Sequence, residues 1–141
     1  MDFKLKNKTA LVCASSEGLG KAAALELAKE GCKISMCARN SKNLERAASE
    51  IRSQVKTDVI TSAIDLNDKD SLKSLVNKTE QEIGPIEILV NNAGGPPPGS
   101  FDTLSDEDWQ QTFNLTLMSA ISLSKLVLPN MKKENWGRII N

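Results

Sequence analysis

The stretch 14–20 (ASSEGLG) contains residue types that could bind a phosphate group. Gly18 and Gly20 let the backbone approach a ligand closely and let a helix approach the preceding strand. The unpaired N–H groups at the start of a helix attract a pyrophosphate, and Ser15 and Ser16 can add hydroxyl donors. The alternative is a tight strand-to-helix turn without a ligand, because a Gly-x-Gly pair alone is weakly specific.

Two residues of this stretch depart from a common phosphate-binding turn. Ala14 stands where a third glycine is usual, and its methyl group demands either a φ below zero or some strain. Glu17 brings a carboxylate near the phosphates, which costs Coulomb energy unless the side chain points away. Neither residue removes the backbone donors, so phosphate binding is still expected.

Arg39 indicates which dinucleotide would bind. It follows an apolar run at the place where a site for NAD usually has an acidic residue for the ribose 2′-hydroxyl. A guanidinium there can pair with a 2′-phosphate and stack on adenine, which favours NADP over NAD. The alternative is a solvated arginine at the end of a strand.

The elements that would position these residues alternate along the chain. Short runs with apolar residues on both faces predict strands at 8–13, 32–38, 58–65, 86–92 and 137–141. Strand and helix repeat at roughly 25–30 residues per unit, which is typical of an α/β fold with a doubly wound parallel sheet. We expect one domain over residues 1–141.

Apolar residues at helical spacing predict the helices between these strands. The first helix covers 19–30 and is closed by Gly31, and Ser41 is expected to cap the second. Gly84 and Pro85 end the third helix. The apolar faces of the second and third helices are Leu44, Ala47, Ala48, Ile51 and Val55, and Leu72, Leu75, Val76, Thr79 and Ile83.

A longer helix is predicted from Ser105, with Asp108 placed as in a capping box. Its stripe consists of Trp109, Phe113, Leu117, Ala120, Ile121, Ser124 and Leu128. The loop before it, 93–104, contains three prolines at 96–98. These make the loop either a stiff rim of a ligand pocket or a rigid connector.

Composition excludes several classes of protein. Lys plus Arg and Asp plus Glu both total 18, so nothing electrostatic favours nucleic acid or a membrane surface as a partner. No signal region and no apolar run near ~20 residues is present, which predicts a cytoplasmic location. The chain has no His, which excludes Ser-His and Cys-His pairs and His-based metal sites, and no metal is predicted. Cys13, Cys32 and Cys37 are expected to be buried free thiols.

Three motifs together resemble the short-chain dehydrogenase/reductase family. They are the turn 14–20, the pair Asp65-Leu66 after the third strand, and Asn91-Asn92-Ala93-Gly94 after the fourth. The resemblance covers essentially the whole chain and extends to a divergent branch of family members similar to 3-oxoacyl-(acyl-carrier-protein) reductases. It implies a Rossmann-type sheet in the order 3-2-1-4-5. It also implies a homodimer or homotetramer formed through the helix at 105–133. The alternative is that this helix's stripe only covers its own sheet.

The resemblance implies a set of cofactor contacts. The pyrophosphate and its ribose would lie against Ala14, Ser15, Ser16, Gly18 and Leu19. Arg39 would favour NADP, and Asp65 and Leu66 would flank the adenine. Asn92, Ala93 and Gly94 would line the ribose on the nicotinamide side.

The same family pattern also shows what is different here. Cys13-Ala14 replaces the usual Thr-Gly, and Thr116 stands at the position of the family's helix asparagine. The catalytic Ser and Tyr-x-x-x-Lys of the family follow the fifth strand, whereas this chain ends at Asn141 and contains no Tyr. We therefore expect an N-terminal part, truncated before the last strands, that binds the cofactor but is inactive alone.

Two functions follow for the parent protein. The first is an NADP-dependent oxidoreductase that moves a hydride between the cofactor and a small carbonyl or alcohol substrate, with 3-oxoacyl thioester reduction as one specific role. The alternative is a non-catalytic nucleotide-binding or sensor protein of the same fold. The apolar edge strand at 137–141 further predicts that the isolated chain aggregates or is only partly ordered over 95–141.

Overall fold

The sheet is the centre of the molecule. A computed structural model describes residues 2–141. Within them, one parallel sheet has the order β3-β2-β1-β4-β5, as predicted for a Rossmann-type fold. Its strands are β1 Thr9–Val12, β2 Lys33–Ala38, β3 Val59–Ala63, β4 Ile86–Val90 and β5 Arg138–Ile140.

Helices cover both faces of this sheet. They are α1 Gly18–Lys29, α2 Ser41–Arg52, α3 Lys69–Ile83, α4 Asp106–Phe113 and α5 Ser119–Lys133. A single turn of π-helix, Asn114–Met118, joins α4 to α5. The long helix predicted from Ser105 is therefore present, but with an interruption that its apolar spacing did not predict.

Polar side chains cap three of the helices, among them α3 through Asp68. Ser105 and Asp108 form the predicted capping box, with Asp108 N donating to Ser105 Oγ at 3.2 Å. The prediction that Ser41 caps α2 is wrong, because Asn40 accepts from Asn43 N at 2.9 Å. Asn40 keeps an extended backbone, whereas Ser41 is already helical, so only Asn40 has cap geometry.

The core consists of two layers, one on each face of the sheet. On one face, α1 and α2 bury Ala24, Ala28, Leu44, Ala47, Ala48 and Ile51 against the alternate residues Ala10, Val12, Ile34 and Met36 of the strands. On the other face, α3 and α5 bury Leu72, Leu75, Val76, Leu123, Val127 and Met131 against Leu11, Cys37, Ile86 and Leu89. Successive strand residues point to opposite faces, so both layers exclude water from the same sheet.

The predicted stripe of the long helix does not face this core. Trp109 and Phe113 are each 48% exposed, and Leu117, Ile121 and Leu128 are also exposed. The helix instead presents Ser119, Leu123, Val127 and Met131 to the sheet. Leu117, Ile121 and Leu128 also line a cleft beside the ends of β4 and β5, so whether the stripe forms an interface or covers its own sheet stays a prediction. No helix within residues 2–141 is long and apolar enough to cross a membrane.

Trp136 ties the last strand to the first. Lys8 Nζ lies 4.3 Å from the ring centroid and Arg138 Cζ lies 4.8 Å from it, so the ring contacts two cations. Lys8 also pairs with Glu87 at the start of β4, with 2.5 Å between Nζ and Oε1. This cluster fixes the N-terminal ends of β1, β4 and β5 relative to one another.

Candidate functional site

The hydrogen bonds of Ser15 fix the turn between β1 and α1 to the ends of β1 and β2. Ser15 N donates to Cys37 O at 3.0 Å, which joins the turn to the end of β2. Its hydroxyl donates to Val12 O at 2.9 Å, and the residue is fully buried. The expectation that the Ser15 hydroxyl donates to a ligand is therefore wrong, because the backbone already uses that proton. Ser15 shapes the turn, and Ser16 is the serine that faces the cleft.

Ala14 adopts the strained alternative. Its φ is +45°, in the left-handed region where a Cβ costs roughly 1–2 kcal/mol. The Asn92 side-chain amide donates to Ala14 O at 3.3 Å. A Cβ on Gly20 would lie 2.3 Å from the same oxygen, so α1 approaches the turn too closely for any residue but glycine. The turn is thus fixed between α1 and the residues after β4.

These elements enclose a cleft of about 750 Å³ at the C-terminal ends of β1 to β4. All of the predicted cofactor-contact residues except Ser15 line it: Ala14, Ser16, Gly18, Leu19, Arg39, Asp65, Leu66, Asn92, Ala93 and Gly94. They come from four separate segments of the chain. A parallel sheet brings them together because its strand ends meet at one edge.

The cleft also contains residues that the sequence reasoning missed. Asn40 and Asn43 line it from the first turn of α2, and Gln111, Thr112 and Leu115 line it from the long helix. Pro96 and Pro97 of the proline loop also line it. The position of Asn40 directly after Arg39 was a usable signal for the α2 residues, whereas nothing in the helical spacing indicated Gln111 or Thr112.

At the ends of β2 and β3 the cleft is lined by an apolar side chain beside polar groups. The apolar residue is Leu66, which is 8% exposed and follows Asp65 in the chain. Asp65 Oδ1 accepts from Asn67 N at 2.9 Å, which fixes the carboxylate after β3. Ile64 N donates to Ala38 O at 3.0 Å, so this segment lies beside the end of β2 and Arg39. The arrangement can hold a planar ring beside a phosphate.

A second cleft, of about 740 Å³, lies between α5 and the ends of β4 and β5. Thr116 lines it, but the Thr116 hydroxyl donates to Thr112 O at 2.7 Å within the helix. Asn91 Nδ2 donates to Ser124 Oγ at 3.4 Å and to Asn141 Oδ1 at 2.9 Å. Turns of π-helix are frequent at functional sites, and this one carries Thr116 in the wall of the second cleft.

The three cysteines are buried free thiols, as predicted. A hydrogen bond with the Cys37 thiol and burial raise the pKa of Cys13. Burial raises the pKa of Cys32 to about 11. Thiols with raised pKa values are poor nucleophiles at neutral pH, so we assign them to packing. Among residues 2–141, no group of three His, Cys, Asp or Glu side chains could hold a metal ion.

The fold and the cleft define a Rossmann-type domain with the geometry of a dinucleotide site. The chain belongs to the short-chain dehydrogenase family, whose family model ("short chain dehydrogenase") matches residues 8–141.

Several proteins with assigned names are similar to it. The uncharacterized oxidoreductase YvrD of Bacillus subtilis is 37% identical over 141 residues, which are 100% of this chain and 52% of YvrD. The NADPH-dependent reductase BacG of Bacillus subtilis is 33% identical and is matched over 97% of this chain and 53% of BacG. The 3-oxoacyl-(acyl-carrier-protein) reductase FabG of Haemophilus influenzae is 34% identical, over 97% of this chain and 55% of FabG. The chain spans about half the length of these relatives.

A solved structure shows the same likeness in three dimensions. L-Sorbose reductase from Gluconobacter frateurii, complexed with NADPH and L-sorbose, matches with a TM-score of 0.93 at 32% identity. The match covers 99% of this chain and 53% of the reductase.

Proposed function

We propose that this chain is the NADP-binding part of an oxidoreductase that transfers a hydride between NADP(H) and a carbonyl or alcohol substrate. The observation that carries the proposal is the single cleft into which four segments place their predicted contact residues. NADPH in the similar sorbose reductase and the NADPH-dependent BacG support the choice of cofactor.

The cleft offers chemically suitable residues for each part of the cofactor. The N–H groups at Gly18 and Leu19 begin α1 and suit the pyrophosphate, with the Ser16 hydroxyl beside them. Arg39 suits the 2′-phosphate. Adenine would lie against Leu66 and donate to the Asp65 carboxylate, and the nicotinamide-side ribose would lie along Asn92, Ala93 and Gly94.

The bound cofactor would supply the hydride, and the residues of the cleft would fix the position of the cofactor. The close approach of Gly20 to Ala14 O fixes the distance between α1 and the turn, and Asn92 links that turn to the end of β4. The cofactor's two halves would thereby be held by segments that cannot move independently. Orientation of this kind lowers the entropic part of the barrier to hydride transfer.

Reduction of a 3-oxoacyl thioester is the specific reaction that we propose for the whole protein. FabG of Haemophilus influenzae, named for that reaction, is 34% identical to this chain. The chain contains no Tyr, and the acid that protonates the developing alkoxide in this family is a tyrosine. We therefore expect the 141-residue chain to bind NADPH without reducing a ketone.

Calorimetric titration with NADP⁺ and NAD⁺ tests the binding part of the proposal. Arg39→Ala is expected to weaken NADP⁺ binding by at least about tenfold and to leave NAD⁺ binding nearly unchanged, because one charge-assisted contact is lost. Arg46→Ala is the matched control, since Arg46 is exposed on α2 outside the cleft. Equal losses in both variants would contradict the assignment.

Turnover is measured with NADPH and a 3-oxoacyl thioester. Robust oxidation of NADPH by purified material of this length would disprove the predicted inactivity. Turnover by the full-length gene product separates the two functions of the parent protein. Binding without turnover would favour the nucleotide-binding or sensor alternative, which is supported by the strained Ala14 and by the Thr116 hydroxyl being used within its own helix.

We also propose that a second copy of this chain covers the outer stripe of the long helix. Exposed side chains at 109, 113, 117 and 121 follow one another at four-residue spacing and form a continuous apolar face. Contiguous exposed apolar side chains mark interaction sites, and a stripe on one helix can pair with itself about a two-fold axis.

Light scattering after gel filtration tests this interface. Replacing Phe113 and Ile121 by Ser is expected to lower the mass to that of a monomer while changing the melting temperature little, because both side chains are exposed. Phe3→Ser is the control, since Phe3 is 58% exposed but lies outside the stripe. A monomeric starting protein, or an unchanged mass in the double variant, would exclude the interface.

A cytoplasmic location is the last part of the proposal. Three buried free thiols with no disulfide among them are typical of a reducing compartment. Fractionation of cells that express the tagged protein tests it, and recovery in the membrane or secreted fraction would contradict it.

A further inference from the structure

The strand β3 lies at one end of the sheet, and the proposed function gives its outer side no role. It pairs with β2, so half of its main-chain groups point away from the sheet. Unpaired N–H and C=O groups on such an edge form a template on which another chain can add a strand. The side chains around this edge therefore decide whether it is available for association.

The hydrogen bonds to β2 show which carbonyls of β3 point outward. Ile34 N of β2 donates to Asp58 O at 2.8 Å, and Ile64 N donates to the carbonyl at the end of β2 at 3.0 Å. The main-chain groups of successive strand residues alternate between the two sides, and Asp58 and Ile64 both face β2. The odd-numbered residues Val59 and Thr61 therefore direct their carbonyl oxygens to the free edge.

Two cationic side chains bind these outward carbonyls. Arg52, the last residue of α2, donates from Nε and Nη2 to Val59 O at 3.0 and 2.8 Å. Lys78 of α3 donates from Nζ to Thr61 O at 2.6 Å and to Ser62 Oγ at 3.2 Å. Because α2 and α3 pack on different faces of the sheet, the two side chains reach the edge from opposite sides.

A carboxylate fixes one of these cations in place. Glu45 pairs with Arg52 Nη1, and its second oxygen accepts from Thr61 Oγ1 at 3.1 Å. The Arg52 guanidinium is thus bonded to its own helix and to β3 at once. The opposite edge strand β5 is different, since all three of its residues are exposed.

We propose that Arg52 and Lys78 close the β3 edge against the addition of a strand from a second copy of this chain. An incoming strand would need Val59 O and Thr61 O as acceptors, and it would have to displace a cation from each. Hydrogen bonds from a charged donor are about twice as strong as the neutral main-chain bonds that would replace them. Main-chain pairing between copies is thereby restricted to β5, whether or not the cleft binds a cofactor.

The experiment compares the association of variants by light scattering after gel filtration. Every variant carries Ile140→Lys, whose charge keeps the β5 edge from pairing. In this background, Arg52→Ala combined with Lys78→Ala is expected to raise the mean molar mass at least about twofold at high protein concentration, because edge-to-edge pairing joins two copies. Urea unfolding checks that the variant still unfolds cooperatively.

Amide hydrogen exchange, followed residue by residue, shows where the copies meet. The outward N–H groups of Thr61 and Ala63 would gain main-chain partners only if a strand were added at β3. In the double variant we expect their exchange to slow at least about tenfold as the protein concentration rises. In the background protein their exchange should not depend on concentration.

Arg46→Ala combined with Lys73→Ala is the matched control. These two residues are exposed on the same two helices, and the substitutions remove the same charge. Neither side chain donates to a β3 carbonyl within residues 2–141, so mass and exchange should stay unchanged. If the double variant at the edge does not unfold cooperatively, Lys78→Ala alone provides the test, because it leaves the contacts of Arg52 intact.

Three results would overturn the proposal. The first is an unchanged mass and unchanged exchange in a cooperatively folded edge variant. The second is an equal rise in mass in the control, since loss of charge alone would then explain association. The third is a rise in mass without slower exchange at Thr61 and Ala63, which would place the contact elsewhere. All measurements are made without cofactor, so failure of the proposed NADP site would leave them interpretable.

Discussion

The two ends of the sheet differ in how completely their side chains are covered. We call β1 to β3 with α1 and α2 the closed side, and β5 with the outer stripe of the long helix the open side. Residues 34–37 of β2 are all buried, whereas every residue of β5 is exposed. The closed side contains the phosphate turn, Arg39 and Asp65. Both β3 and β5 are edge strands, but only β5 is exposed along its whole length, so the residues for the adenosine end of a cofactor rest on the better covered side.

The largest expected contrast is between two isoleucines. Ile34 is fully buried on the closed side, and Ile140 is 49% exposed at the open edge. Ile34→Ala should lower the free energy of unfolding by about 3 kcal/mol through the cavity it leaves, and Ile140→Ala by less than about 1 kcal/mol. Urea unfolding measures both. Equal losses would mean that the two sides are not differently packed.

Two glycines that line or border the nucleotide cleft, Gly20 and Gly95, should differ in how well they tolerate a methyl group. Gly20→Ala should cost about 2 kcal/mol and abolish NADP⁺ binding, because the new Cβ would lie 2.3 Å from Ala14 O. Gly95→Ala meets nothing within 4 Å and should change the free energy of unfolding by less than about 0.5 kcal/mol. Urea unfolding and cofactor titration check both variants. Retained binding in Gly20→Ala would show that the turn can move away from α1.

Alkaline pH should lower the free energy of unfolding through one buried thiol of the closed side, Cys32. Burial raises the pKa of Cys32 from 9.0 to about 11. A raised acid pKa stabilises the fold below the unfolded value and loses that contribution as pH rises through the folded value. The free energy of unfolding should therefore fall by about 1–2 kcal/mol between pH 9 and pH 11. Cys32→Ala should show a shallower slope in urea titrations at each pH, and identical slopes would exclude the thiol as the cause.

A substitution in the exposed edge strand β5 is expected to change stability least and solubility most. Exposed apolar edge strands pair with other chains, and a charge on the edge prevents it. Ile140→Lys should change the free energy of unfolding by less than about 0.5 kcal/mol while reducing concentration-dependent light scattering. A starting chain that is already a monodisperse, cooperatively melting monomer would refute the predicted aggregation.

The sequence predicted the strand order, the helix positions and the capping box at Ser105 and Asp108, because each depends on local chemistry or on a recognisable family pattern. It misplaced the α2 cap by one residue. Asn40 and Ser41 are both good caps, and only the backbone angles decide between them. The turn of π-helix was also not predicted, because the apolar residues of a long helix fall on more than one face and do not mark where one residue is inserted into a turn.

The outer stripe shows a different limit. Trp109, Phe113 and Ile121 mark one apolar face of the long helix, but Leu123 and Val127 mark another. Periodicity identifies both faces and cannot say which one meets the sheet. Ser15 illustrates the same limit at the candidate site, because a hydroxyl type does not reveal whether its proton goes to the backbone or to a ligand.

Trp136, held between Lys8 and Arg138, gives the molecule its own optical reporter. The chain has two tryptophans, and the other, Trp109, stands half exposed beside Phe101 with 5.9 Å between ring centroids. A cation-flanked indole and a solvated one emit differently, so separate single-tryptophan variants would follow the two sides by fluorescence. Trp136 would signal a displacement of Lys8 or Arg138, and Trp109 would signal changes at the start of α4. The tryptophan that links Lys8 to Arg138 thus also makes that link observable in solution.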